Sequence, residues 1–150
     1  MQVYKVSDIK FKTVLTTKVL NELTEYFDSS MKESILSNIN NDIYFTVADS
    51  YGYQGFISLK ENDDTLEIKG LGVMKNSQRQ KLGQALIKAA IDYGKVNNRK
   101  LISINIKDDS SKDINYLKTR RFLTKMGFKN VTVLSTDTFL NPTLVMVYII

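Results

Sequence analysis

Between Thr65 and Lys107 the hydrophobic period changes twice, and that double change restricts the fold more than any other feature of the chain. Thr65 to Met74 reads as a strand. Leu82, Ala85, Leu86, Ala89, Tyr93 and Val96 then share one face of a helix ending near Asn97-Asn98, and Lys100 to Lys107 alternates again with Ile102, Ile104 and Ile106 on one side. Upstream, Ile43 to Ala48, Gln54 to Lys60 and Thr65 to Met74 are strand-like runs. Only the turns Asp49-Ser50-Tyr51-Gly52 and Glu61-Asn62-Asp63-Asp64 separate them, so these three strands are antiparallel neighbours. A strand–helix–strand unit joined to an antiparallel meander predicts an α+β protein. Its central sheet is mixed and mostly antiparallel, with flanking helices.

The remaining elements fit round that centre. Gln2 to Val6 is a strand candidate. A first helix is expected after a cap at Thr16 or Thr17, with Val19, Leu20, Leu23, Tyr26 and Phe27 at helical spacing. A second carries a capping box, Ser30 with Glu33, followed by Met31, Ile35 and Ile39, and ends at Asn40-Asn41-Asp42. Beyond a polar loop, Asp108 to Lys112, a third stripe of Tyr116, Phe122, Leu123 and Met126 predicts a helix that Gly127 ends. Val131 to Leu134 and Leu144 to Ile150 complete the order β-αα-βββ-α-β-α-ββ. Gly70 and Gly72 are poor strand residues and predict a bulge or a close backbone approach. At 150 residues, with no repeat or low-complexity tract, the chain is expected to form a single domain over residues 1–150.

The chain has neither Cys nor His. Thiolate nucleophiles, Cys/His metal sites and His-based triads are therefore excluded, and no metal is expected. Carboxylates, Tyr, Lys, hydroxyls and main-chain amides remain, a set suited to reactions in which a pre-activated substrate does most of the work. No apolar run nears the roughly 20 residues that span a bilayer. The opening MQVYKVSDIKFK lacks the apolar stretch of a secretory signal, so no membrane partner and a cytoplasmic location are expected. A net charge of +5 and a pI near 9.3 suit an anionic partner. The lysines are scattered, however, without the aromatic interleaving of a nucleic-acid-binding face, so nucleic acid is disfavoured as a partner.

The segment LGVMKNSQRQKLGQALIK, Leu71 to Lys88, carries the chemistry. A strand enters a loop with Gln78, Arg79, Gln80 and Lys81, and a helix opens near Leu82-Gly83. First-turn amides there lack partners within the helix, and the helix dipole adds partial positive charge. Gly83 lets the backbone come close to a diphosphate, Ala85 keeps the next turn clear, and Arg79 and Lys81 add charge. A strand-to-helix turn with solvated basic side chains would show the same residues.

Gln80-Lys81-Leu82-Gly83-Gln84-Ala85 resembles the acetyl-CoA signature R/Q-x-x-G-x-G/A of the GNAT superfamily of N-acetyltransferases. Arg121 to Phe128, RFLTKMGF, is similar to the family's closing R-F-Y-E-K-L-G-F. Leu66-Glu67-Ile68 with Leu71-Gly72-Val73 resembles the strand before the signature, and the element order matches the GNAT-like acyl-CoA acyltransferase fold along essentially the whole chain.

The resemblance implies an acetyl-CoA-dependent N-acetyltransferase in which a primary amine attacks the thioester directly. Acetyl-CoA is then the acyl donor, and a small-molecule or peptide amine is the acceptor. The main chain of Leu71, Val73 and Lys75 would pair with the pantetheine arm. Amides of Arg79, Gln80, Lys81, Leu82, Gly83 and Gln84, with Ala85 beside them, would hold the pyrophosphate. Asn115 is a further cofactor contact or a helix cap. Glu67 stands where some relatives carry a general base, and is alternatively an exposed strand residue. The sequence departs from the family at Leu123, where many relatives have the Tyr that protonates the leaving thiolate. Tyr116, two turns earlier on that face, is the substitute candidate or a core residue. The turn is also about two residues longer than the family's usual spacing. A CoA-binding relative without activity and a basic nucleic-acid-binding module are the rival readings. The acceptor pocket is expected from the two early helices and the loops around Tyr51-Gly52-Tyr53 and Phe139–Pro142. A homodimer partner is expected at an edge strand, Leu144 to Ile150.

Overall fold

Among the described residues seven strands and four helices follow one another as β1 (Gln2–Val6), α1 (Ile9–Glu22), α2 (Ser29–Asn38), β2 (Ile43–Asp49), β3 (Gly52–Asn62), β4 (Thr65–Val73), α3 (Leu82–Val96), β5 (Leu101–Lys107), α4 (Ile114–Lys125), β6 (Lys129–Leu134) and β7 (Thr143–Ile149), with a 3-10 helix, Lys75–Gln80, between β4 and α3. This computed structural model describes residues 1–107, 114–135 and 142–150, the side chains of residues 78–80 and 107 excepted. The expected loop Asp108–Lys112 therefore lies outside the described residues.

The sheet order is β1-β2-β3-β4-β5-β7-β6, parallel only between β4 and β5 and antiparallel elsewhere. Both hairpin turns fall where expected, with Gly52 at φ 114° and Asp63 at φ 49° supplying the left-handed conformations that tight turns need. The edge expectation needs correcting. β7 lies between β5 and β6, so Leu144 to Ile150 is interior, and β6 is the edge strand with all six residues exposed. A β-strand's alternation reports which face is buried and carries nothing about its lateral neighbours.

Each face of the sheet has its own core. On one, Leu82, Leu86, Ile87 and Ala90 of α3 pack over Ile57, Leu59, Leu66 and Ile102. The buried stripe is rotated from the expected one, and Val96 is 80% exposed. On the other face Val19, Leu20 and Leu23 of α1 and Ile35 and Ile39 around α2 enclose the stacked rings of Tyr44 and Phe56, 5.5 Å apart. Each fully buried Leu or Ile contributes about 1.5–3 kcal/mol.

Gly70 and Gly72 belong to this second core. A Cβ on Gly72 would lie 2.8 Å from Val19 Cγ1, and one on Gly70 would lie 3.0 Å from Phe56 Cε2 and 3.2 Å from Ile35 Cγ2. The close approach expected of these glycines is thus made by the chain's own helices. The expected bulge is there as well: Ser58 pairs with Gly70 and Leu59 with Ile68, which leaves Lys69 as the extra residue.

Two helix starts also differ from expectation. α1 begins at Ile9, capped by Asp8, whose Oδ1 accepts from the amides of Lys10 (2.9 Å) and Phe11 (3.3 Å). Thr16 is an interior core residue bonded to the Tyr44 hydroxyl at 2.9 Å, and Lys12 is buried with its Nζ donating to the Asp42 carbonyl at 2.8 Å. Two polar residues on the buried face, with Ile9 and Val14 exposed, hide the first two turns from a hydrophobic-period reading. α2 is capped by Asp28, which accepts from Met31 N at 2.8 Å, in place of Ser30. α4 ends as expected at Gly127 (φ 101°). Phe128 N donates to Leu123 O and Gly127 N to Thr124 O, both at 3.0 Å, the paired bonds of a Schellman motif. Among the described residues no helix is long and apolar enough to cross a membrane.

Candidate active site

β4 and β5 pair only from Thr65 to Ile68 and from Leu101 to Ile104. Past that point β4 bulges at Lys69 and continues to Val73, while β5 continues to Lys107, and the two strands part. The wedge between them opens a cleft of about 730 Å3, walled by β4 and β5, by the α1–α2 connection and by α4. That is ample for a sizeable organic ligand.

One end of the cleft is the start of α3. The 3-10 helix absorbs the extra length of the turn, and Lys81 then adopts the left-handed conformation (φ 61°, ψ 25°) before α3 opens at Leu82. A non-glycine residue there costs about 1–2 kcal/mol. The side chain of its N-cap residue, Lys81, makes no capping hydrogen bond among the described residues. Lys81, Gly83 and Gln84, at the positive end of the helix dipole where first-turn amides lack partners within the helix, line the cleft wall. A Cβ on Gly83 would meet Phe122 Cζ at 3.4 Å, an ordinary contact. Packing does not require the glycine, and its bare Cα leaves the main chain open to a ligand.

The opposite wall is made of side chains. Tyr26, Phe27, Ser30, Met31 and Ser34 line it, held in place by two ties. Lys75 N donates to Glu22 Oε1 at 2.8 Å while its Nζ pairs with Glu25 at 3.0 Å; Asn115 Nδ2 donates to the Glu25 carbonyl at 3.4 Å. A hydrogen bond from its own backbone, then the Lys75 ammonium, hold the Glu25 carboxyl below its usual range. Lys69, Lys81 and Lys118 bring positive charge to the cleft. Among the described residues no group of side chains is arranged to hold a metal ion.

Of the residues singled out from sequence, the structure brings Leu71, Val73, Lys81, Gly83, Gln84, Asn115 and Tyr116 to the cleft. Leu82 turns its side chain into the core and Ala85 packs against it, so their main chain alone is at the helix start. Arg79 and Gln80 lie on the 3-10 helix, with side chains outside those described. Lys75 is drawn towards α1: its amide and its ammonium are both engaged there. Glu67 precedes the first cleft-lining residue, Ile68. It is 22% exposed, 3.6 Å from Lys69 Nζ, and accepts from Asn62 Nδ2 at 3.4 Å. Leu123 is fully buried.

The early helices line the cleft as expected, but Tyr51 and Tyr53 do not, a correction to the pocket read from sequence. Tyr51 is 85% exposed, and Tyr53 packs edge-on to Phe11 at 4.9 Å. Residues 139–141 of the Phe139–Pro142 loop are outside the described residues. Missed from sequence were Lys69, Asn105 and Lys118. Their one available signal was position, at a bulge, at a strand's free end and one turn into α4.

The sequence model described as the acetyltransferase (GNAT) family matches residues 14–128. No curated protein sequence matches the chain. Among solved structures, the chain is similar to a Bacillus subtilis acetyltransferase in complex with CoA. Identity is 16%, coverage 99% of this chain and 98% of that one, and TM-score 0.75. It is also similar to the ribosomal-protein-S18-alanine N-acetyltransferase of Escherichia coli (14% identity, 97% and 92% coverage, TM-score 0.74). An aminoglycoside 6'-N-acetyltransferase complexed with coenzyme A is a third (17% identity, 99% and 97% coverage, TM-score 0.70). At these identities the structural likeness is one of fold.

Proposed function

The chain belongs to the acetyltransferase (GNAT) family, and from that premise we propose that it moves the acetyl group of acetyl-CoA to a primary amine by direct attack. The observation that carries the proposal is the wedge between β4 and β5, which ends on a helix start whose N-cap residue, Lys81, makes no side-chain capping bond. Amides of Lys81, Leu82, Gly83 and Gln84 hold the diphosphate there, with the Lys81 ammonium beside them. The free stretch of β4, Leu71 to Val73, lends its main-chain donors and acceptors to the pantetheine arm. Arg79 and Gln80 add amides at the same turn, Ala85 leaves room in the next turn, and Asn115 sits at the arm's far side. Lys75 closes the turn onto α1.

Bound acetyl-CoA supplies an activated thioester. The amine nitrogen bonds the carbonyl carbon, the carbon–sulfur bond breaks and the thiolate departs. The amine's proton passes to Glu67 through water, since Glu67 stands one residue outside the cleft lining. Lys69 Nζ lies 3.6 Å from that carboxylate. Tyr116, on the cleft wall, protonates the thiolate. The acceptor enters along the α1–α2 wall. The two acetyltransferases of known acceptor named above act on a ribosomal protein and on aminoglycosides, and both kinds of acceptor remain candidates here.

A second reading has its own support. Leu123, at the position where relatives carry the proton-donating Tyr, is wholly buried, which favours a relative that binds acetyl-CoA without turnover. One pair of measurements separates them: stabilisation against heat by acetyl-CoA, and release of free thiol with a panel of amines. Stabilisation with thiol release supports transfer, and stabilisation alone supports the second reading. Indifference to acetyl-CoA sinks both.

A further inference from the structure

The turn that leads into α3 is pegged from beneath by a relay of three side chains, two of them buried and the third, Asp49, half-buried. Ser77, on the 3-10 helix, is 2% exposed, and Gln54, on β3, is 8% exposed. The Ser77 hydroxyl donates to Gln54 Oε1 at 3.1 Å, and Gln54 Nε2 donates to Asp49 Oδ1 at 3.3 Å. Asp49 Oδ1 also accepts from the amide of Tyr51 at 2.8 Å. The direction of the relay is set by chemistry. A carboxylate only accepts, so the Gln54 amide turns its N–H to Asp49 and its oxygen to Ser77, whose hydroxyl has Gln54 Oε1 as its nearer acceptor and Asn76 Oδ1, at 3.4 Å, as the longer one.

Gln54 reaches this position because it is a bulge residue. Val47 pairs with Gly55 and Ala48 with Tyr53, which leaves Gln54 unmatched and re-aims its side chain. Its main chain contributes too: Met74 N, at the end of β4, donates to Gln54 O at 2.8 Å, and Ser77 N donates to Met74 O at 2.9 Å. One bulged residue thus grips the segment between β4 and α3 at both ends of its first turn. Lys75 and Asn76, between the two gripped points, are exposed.

We propose that Ser77 and Gln54, backed by Asp49, are positioning residues that hold the 3-10 helix in the register at which the α3 amides meet the diphosphate of the acyl donor. The inference rests on the reading of the α3 start as the diphosphate site. It assigns the extra length of this turn a purpose: the added residues carry a peg into the sheet. Neither residue touches the donor in this account. They act through the main chain of Lys81 to Gln84.

The test compares two thioesters on the intact protein, acetyl-CoA and S-acetylpantetheine, which has the same arm and no diphosphate. Ser77→Ala is expected to weaken acetyl-CoA binding about tenfold while leaving S-acetylpantetheine, titrated at millimolar concentration, unchanged. Ser77→Thr, which restores the hydroxyl, is expected to recover most of the loss. Equal weakening of both ligands, or no change in either, overturns the proposal, because a merely structural role would not distinguish them. Should Ser77→Ala fail to fold, Gln54→Met breaks the relay from the other side and must give the same split. A wild-type protein indifferent to acetyl-CoA sinks the donor site itself, a result separable from an undisturbed Ser77→Ala variant.

Discussion

The two walls of the cleft are built from different materials. The β4–α3 wall offers main chain: three glycines, a bulge and a helix start whose N-cap side chain makes no capping bond. The α1–α2 wall offers side chains: Tyr26, Phe27, Ser30, Met31 and Ser34. Main-chain recognition suits a ligand shared by a whole family, because it survives wide drift in side-chain identity. Side-chain recognition suits a ligand particular to one protein. The proposed division between common donor and private acceptor rests on that contrast, and it can be broken experimentally at either wall.

The largest expected effect is on the main-chain wall. Gly83→Trp places a ring where the bare Cα now faces the cleft, and acetyl-CoA affinity is expected to fall at least about 100-fold. Isothermal titration checks this, with circular dichroism to show that α3 persists. Gly83→Ala, whose Cβ would make only ordinary contacts, should bind with a loss of about tenfold or less. If the tryptophan variant binds as tightly as wild type, the diphosphate lies elsewhere and the contrast between the walls fails.

Next comes the seam where the walls meet. Gly72→Val drives branched carbon into Val19 and Leu23, whose nearest atoms lie 2.8 and 3.2 Å from the Cβ position. Overpacking there is expected to cost about 2–3 kcal/mol, measured as a lower denaturant midpoint. The loss should be partly recovered by Val19→Ala, which returns the space. A fully stable Gly72→Val variant would mean that α1 does not rest on the β4 backbone.

The same contrast explains what could be read from the sequence. The β4–turn–α3 wall was legible because glycines stand out in a strand and at a helix start: Gly70 and Gly72 where Phe56, Ile35 and Val19 press on β4, and Gly83 where the donor is proposed to approach. The hairpins announced themselves by local turn chemistry at Gly52 and Asp63. By contrast, α1 was misplaced because its core face includes Lys12 and Thr16. Each is satisfied by a partner about 28 residues away or more, Asp42 and Tyr44, which no local period reports. The interior place of β7 depends on pairing with β5 and β6 across the fold, which alternation does not encode. The acceptor wall stayed closed for a similar reason. The cleft around the proposed acceptor wall is lined from the α1–α2 connection, α2, β5 and α4, and no short motif joins these residues.

A smaller effect is expected beneath the side-chain wall, at the end of α2. Asp42 is 6% exposed, its Oδ2 has no hydrogen-bond partner among the described residues, and burial pushes its carboxyl up to about 6 despite Lys69, Lys12 and Lys60 nearby. The folded state therefore holds a proton that the unfolded state, with the ordinary carboxylate value of 3.8, releases. The group's contribution to stability is fully present below about pH 4 and is lost as pH rises through about 6. Asp42→Asn should accordingly be more stable than wild type by about 2 kcal/mol at pH 7.5, with the difference fading towards pH 4. Thermal melts across that range check the sign. A difference independent of pH would show that the carboxylate is not desolvated.

The smallest effect should come from the tie between the walls. Glu25 and Lys75 form an exposed ion pair, with side chains 33% and 53% exposed, so breaking it should barely move the melting temperature. Its influence should fall on the acceptor, because Glu25 fixes the connection that leads into Tyr26 and Phe27. Lys75 also keeps its amide bond to Glu22 whatever happens to Glu25. Glu25→Gln is therefore expected to raise the acceptor KM by about two- to threefold, a loosening of an exposed contact. The KM for acetyl-CoA and kcat should stay where they are. A rise confined to the acetyl-CoA KM would place Glu25 with the main-chain wall and reverse its assignment. Equal rises in both would mean that the walls move as one body, and the proposed division of labour between them would no longer hold.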